Sequence, residues 1–190
     1  MNKSRLLVVV CVCLAVVSIK ANAFIFTPLG ALQANNFHSS ASDVSGDGSV
    51  TTGSSRVPGI VGGGGFYWTQ SSGMVNLGPL PNGQSSGGGA ISLDGNTIVG
   101  SYQTPLGREA FRWTSSEGYV GLGEFAGGQY YSTATGVSGD GSHIVGHSNH
   151  SMTEAFLWTE ADEMQGLGDL AGGLDYSVAD AISSAARNHY

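Results

Sequence analysis

Three closely spaced histidines are the residues whose types and spacing most suggest chemistry, because imidazole nitrogens are frequent metal ligands. They stand at His143, His147 and His150. On an extended strand without a bulge, the Cβ atoms of His143 and His147 would share a face but lie about 13 Å apart, at roughly 3.3 Å per residue. That separation is too large for one metal ion, so we predict no metal site.

Acidic residues could supply paired carboxylates for acid and base catalysis. The aspartates Asp47, Asp94 and Asp140 recur at one position of a repeated string, each directly before a glycine. In such a turn, aspartate accepts hydrogen bonds from its own backbone, which is a structural role. We therefore predict no catalytic residue, no cofactor and no enzymatic activity. Structural calcium stays open, because Ser138 and Ser142 flank one of these aspartates and calcium loops require several nearby oxygens.

The elements that must position these residues repeat along the chain. Tryptophan occurs three times at intervals of 45 residues, always followed by Thr, and Leu-Gly comes nine residues later. Three copies of one string accompany this pattern: VSGDGSVTTG, ISLDGNTIVG and VSGDGSHIVG. A regular period of this length indicates a repeat architecture in which each copy folds as one unit.

Each copy predicts four short antiparallel strands. An Asp-Gly pair between alternating apolar residues is a strong signal for a hairpin, here joining strands one and two. The predicted hairpin turns contain Asp47, Gly48, Asp94, Gly95, Asp140 and Gly141. The third strand carries two aromatic residues two positions apart, hence on one face of the sheet. We predict that these aromatics form the core between blades: Phe66, Trp68, Phe111, Trp113, Phe156 and Trp158.

Four strands in about 45 residues is the size of one blade of a β-propeller. We predict an all-β, propeller-like array with repeats at about 29–76, 77–121 and 122–166 and a partial copy at 167–190. Two interpretations of this incomplete count stay open, a small ring closed by the end strands and a truncated piece of a longer array, and the second is favoured. An open edge strand would then permit self-association.

The first 23 residues have the features of a secretory signal peptide. Lys3 and Arg5 precede an apolar run over 6–19, and small residues follow at 21–23. We expect cleavage between Ala23 and Phe24 and a mature repeat domain over 24–190, with no membrane insertion afterwards. The apolar run is shorter than the roughly 20 residues that span a bilayer. The protein is therefore predicted to be extracellular or periplasmic.

The charge balance limits the partners of the mature chain. Seven basic residues oppose fourteen acids in the whole chain, and three of the basic residues belong to the leader, so the mature formal charge is -10. Few cations are left to neutralise phosphates, which excludes nucleic acid as a partner. We expect an unidentified surface or extracellular ligand. The connections between strands two and three vary in length and residue type, so their face is the first choice for binding.

The repeated strings resemble the bacterial HAF family of extracellular repeats. The resemblance is carried by Leu-Gly-x-Leu-x-Gly-Gly, Val-Ser-x-Asp-Gly-x-x-Ile-Val-Gly and Glu-Ala-Phe-x-Trp-Thr, as found over 122–146 and 154–159, with Phe125 in place of the second leucine of the first string. It implies an exported bacterial protein for which no biochemical activity is established. We predict a non-enzymatic structural or interaction role. The hairpin is also similar to the Asp-box turn of sialidases, so the alternative function is a secreted propeller that binds or hydrolyses glycans.

Overall fold

The computed structural model describes residues 27–33, 38–80, 85–128, 130–149, 152–171 and 176–184. The predicted leader and its cleavage site at Ala23 and Phe24 lie outside these ranges, as does His150. Within the described ranges the regular elements are all strands, and no helix there has the length and apolar character to cross a bilayer.

Twelve strands form three antiparallel four-stranded sheets, which we call blades 1 to 3. Blade 1 contains β1 Ser39–Val44, β2 Val50–Val57, β3 Ile60–Thr69 and β4 Gly73–Asn76. Blade 2 contains β5 Ser85–Ile91, β6 Thr97–Gln103, β7 Arg108–Thr114 and β8 Gly118–Gly123. Blade 3 contains β9 Ser132–Val137, β10 Ile144–Asn149, β11 Thr153–Thr159 and β12 Glu163–Gly166. In every blade the spatial order follows the chain, so the predicted all-β fold of four-stranded blades is confirmed.

The Asp-Gly turns join the first and second strand of each blade. In blade 3, the carboxylate of Asp140 accepts hydrogen bonds from the Ser138 hydroxyl at 2.6 Å and from the backbone N–H of Ser142 at 3.0 Å. Gly141 follows with a φ of 75°, a conformation that costs glycine little. The aspartate therefore holds its own turn together.

Serine hydroxyls join each blade to the next. Ser86, in the first strand of blade 2, accepts the Gly65 N–H of blade 1 at 2.9 Å. Ser132 of blade 3 accepts the Ala110 N–H of blade 2 at the same distance. Both serines are buried. Such bonds matter because a buried backbone N–H without a partner destabilises the fold.

The same pattern continues after blade 3. The hydroxyl of Ser177 accepts the Ala155 N–H at 3.0 Å, and the Gly139 N–H donates to the Ser184 carbonyl at 3.1 Å. Residues 176–184 thus occupy, against blade 3, the place that a first strand occupies against the preceding blade.

The aromatic residues predicted to form the core between the blades are buried to different degrees. Phe66, Phe111 and Phe156 are fully buried, and Trp113 and Trp158 are 8% exposed. Tyr67 of blade 1 stacks on Trp113 with ring centroids 5.7 Å apart, and the Arg112 guanidinium of blade 2 lies 5.7 Å from the Trp158 ring. The residue between Phe and Trp therefore packs on the tryptophan of the following blade.

Trp68 is only half-buried, unlike the other two indoles. The described residues ahead of β1 are 27–33 and His38, and they form no sheet that could cover it. The repeat pattern predicts the same burial for all three tryptophans. The structure shows that an indole is buried only where a preceding blade covers it.

Candidate functional site

The face at which the second strand of each blade turns into the third is the one the sequence favoured for binding, and we call it the loop face. In blade 1 this connection is mostly strand, because β2 and β3 extend until only Pro58 and Gly59 separate them. The extra length of that copy is therefore a longer hairpin rather than a longer loop. Blade 2 has a true four-residue loop, residues 104–107.

A cleft of about 350 Å³ opens on the loop face of blade 2. It is bounded by the 104–107 loop, by the strand ends beside it, and by the connection from β8 to β9. The lining residues combine exposed apolar groups with charged ones: Tyr102, Thr104, Pro105, Leu106, Arg108, Glu109, Glu124 and Tyr130.

Thr104 shapes the loop that forms one wall of the cleft. Its backbone N–H donates to the Gly107 carbonyl at 2.7 Å, and its hydroxyl accepts the Leu106 N–H at 3.2 Å. The Arg108 N–H then donates to the Tyr130 carbonyl at 2.9 Å, which attaches the loop to the connection into blade 3. These bonds leave the Leu106 side chain 66% exposed beside the cleft.

Two glutamates line the same cleft. The Tyr102 hydroxyl donates to the Glu109 carboxylate at 2.9 Å. That carboxylate lies so close to Gly121 that any Cβ there would overlap it, so the glycine makes room for the acid. Burial raises the pKa of Glu124, and the negative charge of Glu109 raises it further. The two acids therefore interact electrostatically across the cleft.

The counterpart of Glu109 in blade 3 has a structural role, which a residue of the fourth strand fills in blade 1. In blade 3, Glu154 accepts the Gly168 N–H at 2.9 Å. In blade 1 the position of Glu109 is taken by Gly64, and Asn76 of β4 acts instead: its amide oxygen accepts the Gly78 N–H at 2.7 Å. Both groups satisfy the turn that follows the fourth strand. Glu109 is instead hydrogen-bonded to Tyr102. The position of Tyr102 holds Ser55 in blade 1 and Ser148 in blade 3, so this bond forms only in blade 2.

Arg108 is the one cationic residue in the cleft lining that the structure describes, and its charged end packs on an aromatic ring instead of pairing with the glutamates. The Arg108 guanidinium lies 5.5 Å from the centre of the Tyr131 ring. Among the described residues, the ion pairs within 4.0 Å join Arg112 to Glu117 and Glu160, and neither involves the cleft. The carboxylates of Glu109 and Glu124 thus have no cationic partner within the part of the chain that the structure describes.

The remaining candidates of the sequence are placed apart from this cleft. His143 hydrogen-bonds to the Ser142 hydroxyl at 2.7 Å, and the His147 ring lies 6.0 Å from that of Tyr131. Burial lowers the pKa of His147. Across the described ranges, no three His, Cys, Asp or Glu side chains gather as a metal site would require.

The pKa values of the three turn aspartates are lowered, because backbone and side-chain groups of their own turns donate hydrogen bonds to the carboxylates. The backbone and hydroxyl of Ser49, then the Ser45 hydroxyl, lower the pKa of Asp47 to about 2. Hydroxyl hydrogen bonds also lower the pKa of Asp140. For Asp94 burial acts in the opposite direction, but hydrogen bonds from Ser92 and Asn96 outweigh it.

These shifts predict acid sensitivity. A carboxyl group with a lowered folded pKa stabilises the fold above its unfolded pKa, near 4, and that contribution is lost as pH falls through the folded value. We expect urea unfolding midpoints to fall further between pH 7 and pH 3 for the parent than for the triple variant Asp47→Asn, Asp94→Asn, Asp140→Asn. The control, Asp169→Asn at an exposed site, should behave like the parent. Equal shifts in parent and triple variant would contradict the prediction.

Solved structures with a similar fold are TolB proteins, which are β-propellers. TolB from Acinetobacter baumannii is 12% identical with a TM-score of 0.54, over 79% of this chain and 36% of that one. A protein described as TolB from Agrobacterium tumefaciens is 18% identical with a TM-score of 0.54, over 74% of this chain and 52% of that one. These comparisons establish the propeller type of fold. The chain spans about a third to a half of the length of these structures.

Neither a protein-family model nor a curated protein matches the sequence. The HAF resemblance is tested by none of the comparisons and stays a prediction.

Sequence reasoning favoured the loop face but did not identify the cleft, because it assigned the recurring acids to turns and considered no pairing of Glu109 with Glu124. Glu109 and Glu154 do fall at one repeat position, but Glu109 and Glu124 are brought together within blade 2. The signal that could have found the cleft is the difference between the repeats. The position of Tyr102 is serine in blades 1 and 3, and that of Arg108 is glycine in blade 1 and threonine in blade 3. Residues that differ between the repeats at the loop face therefore indicate the binding site better than residues that recur in every repeat.

Proposed function

We propose that this is an exported, non-enzymatic interaction protein whose blades hold a binding cleft on the loop face. The observation that carries the proposal is the cleft of blade 2. Its Tyr102 and Arg108 stand where the other blades have small residues, whereas the Asp-Gly turns at the opposite end are nearly identical in all three copies. Residues that differ on a common scaffold are typical of a binding surface.

Export is supported by the leader-like residues 1–23 and by the HAF resemblance. The acidic mature chain would stay soluble through its net charge. Its fold needs no disulfide, because both cysteines, Cys11 and Cys13, lie in the predicted leader. Membership of the HAF family belongs to this proposal.

Glycan hydrolysis is the second candidate, favoured by the pair Glu109 and Glu124. Glycoside hydrolases use two carboxyl groups, one of them kept protonated by a raised pKa, and the pKa of Glu124 is raised. Three contacts favour the non-enzymatic function. Glu109 is bonded to the Tyr102 hydroxyl and rests against Gly121, and its counterpart Glu154 serves as a structural cap.

Array binding combined with an activity assay tests the proposal. The mature chain is applied to a glycan array and a peptide array, and incubated with a panel of chromogenic glycosides. We expect binding without turnover, reduced about tenfold or more by Leu106→Ser with Tyr130→Ser, since a few anchor residues, tyrosine prominent among them, carry most of the binding energy of an interface. These side chains are 66% and 50% exposed.

Leu170→Ser with Tyr176→Ser is the matched control. It removes the same two residue types from positions that are 91% and 65% exposed but do not line the cleft. Binding should survive in this control. Turnover of any glycoside that depends on Glu109 or Glu124 would establish the hydrolase instead, and binding insensitive to both double variants would refute the loop-face site.

A further inference from the structure

We infer that the cleft of blade 2 binds the cationic side chain of a lysine or arginine in a partner polypeptide. The inference rests on the proposed function and names the ligand chemistry of the same site. The partner inserts its charged end toward Glu109 and Glu124 and lays its aliphatic stem against Leu106 and Tyr130.

The charges of the cleft favour a cation. Two carboxylates line it, and the only cation in the lining is that of Arg108. The Arg108 guanidinium lies over the Tyr131 ring and makes no ion pair within 4.0 Å among the described residues. An ammonium or guanidinium group would relieve the repulsion between the carboxylates and form charge-assisted hydrogen bonds with them. A neutral sugar could form hydrogen bonds there but would leave that repulsion in place.

The apolar rim favours a polypeptide side chain over a small free amine. Leu106 and Tyr130 remain 66% and 50% exposed at the cleft, and Pro105 lies exposed beside them. Lysine and arginine carry an aliphatic stem that packs on such surfaces while the charged end reaches polar groups. The Tyr130 ring also offers a π face for a cation. Apolar neighbours of the inserted residue can cover the rest of the rim.

The size of the cleft agrees with one inserted side chain. Its volume, about 350 Å³, is at the lower end of the range for ligand clefts, roughly 300–1,000 Å³. The loop that forms its wall is anchored by the bonds of Thr104 and by the Arg108 N–H to the Tyr130 carbonyl. The site is therefore largely formed before a partner arrives, which lowers the entropic cost of binding.

A titration followed by amide NMR tests the inference with a defined probe. The probe is the peptide acetyl-Gly-Leu-Lys-Leu-Gly-amide, and its matched control carries acetyl-lysine in place of lysine. We expect shifts confined to the amides of 102–109 and 124–131. Acetylation removes the charge and should weaken binding at least fivefold. Butylammonium chloride, which has the charge and stem without the flanking leucines, should bind more weakly than the lysine peptide.

Two variants locate the charge effect. Glu124→Gln should weaken binding of the lysine peptide about fivefold, the size expected for a partly buried ion pair. Asp169→Asn is the matched control, because Asp169 follows Leu-Gly in blade 3 as Glu124 does in blade 2, yet it is exposed and lies outside the cleft. It should bind like the parent. Thermal melting of both variants verifies that they are folded.

The outcomes separate this inference from the proposed function. Equal binding of the acetylated peptide, an unchanged Glu124→Gln variant, or shifts elsewhere on the protein would overturn the cation site. Butylammonium binding as tight as the peptide would assign the site to free amines and overturn the polypeptide partner. If the peptides fail but another array ligand depends on Leu106 and Tyr130, the inference falls while the proposed function stands.

Discussion

Replacing Phe111 with alanine is expected to destabilise the fold by about 3–5 kcal/mol, the usual effect of emptying a fully buried aromatic site. Phe111 is 0% exposed. Its ring meets Tyr119 edge-on at 4.8 Å and Tyr102 at 6.1 Å, so the deletion removes ring contacts as well as buried area. The loss is a large share of the roughly 5–15 kcal/mol that stabilises an ordinary domain. Urea unfolding and thermal melting of the mature chain measure it.

The control for this experiment is Leu170→Ala, at a side chain that is 91% exposed. It should change stability by less than about 0.5 kcal/mol, as surface substitutions usually do. We expect the melting temperature of the Phe111→Ala variant to fall by roughly 10 °C, given the usual proportion between stability and melting temperature in chains of this size. A fall no larger than that of the control would show that Phe111 is not in a packed core.

Replacing Gly100 with alanine is expected to cost about 3 kcal/mol or more, although only one methyl group is added. The new Cβ would overlap the Gly87 carbonyl oxygen of the neighbouring strand and lie 3.1 Å from the Phe111 ring. The overlapping atom belongs to the backbone, so relief requires the strands to separate. Gly53 and Gly146 end the same string in the other copies and face the same overlap.

Gly87→Ala is the matched control for Gly100→Ala. It makes the same chemical change on the adjacent strand, where the nearest atom to the new Cβ is the Ser54 Cβ at 3.8 Å. It should be neutral or slightly stabilising, because alanine restricts the unfolded chain more than glycine does. Denaturation midpoints of the two variants are compared directly, and equal midpoints would contradict the proposed close approach of the two strands.

The number and order of strands could be predicted because their signals are local. The turn at Asp140 and Gly141 is stabilised by Ser138 and Ser142, which lie within two residues of the aspartate. Alternation of residues places Phe111 and Trp113 on one face whatever surrounds the sheet. Both signals then recur with a period of about 45 residues, so the propeller type of fold follows from short-range physics.

The sequence shows that glycine recurs at the position of Gly100, but it does not show why glycine is required there. The string could be recognised without knowing that the carbonyl of Gly87 lies against the glycine. Likewise, burial of Trp113 depends on Tyr67 and Leu77 of the preceding blade, where the indole N–H donates to the Leu77 carbonyl at 2.7 Å. Contacts between units depend on how the units stack, which a repeat pattern alone does not specify.

The sequence by itself determined the repeat, its hairpins and the faces of its strands, since each depends on residues close together in the chain. Only the tertiary structure decided that Glu109 and Glu124 share a cleft with Tyr130. That cleft exists because the Arg108 N–H reaches the Tyr130 carbonyl, drawing the 104–107 loop against the connection into blade 3. The residues joined by this bond are more than twenty positions apart, so local preferences carry no information about their meeting.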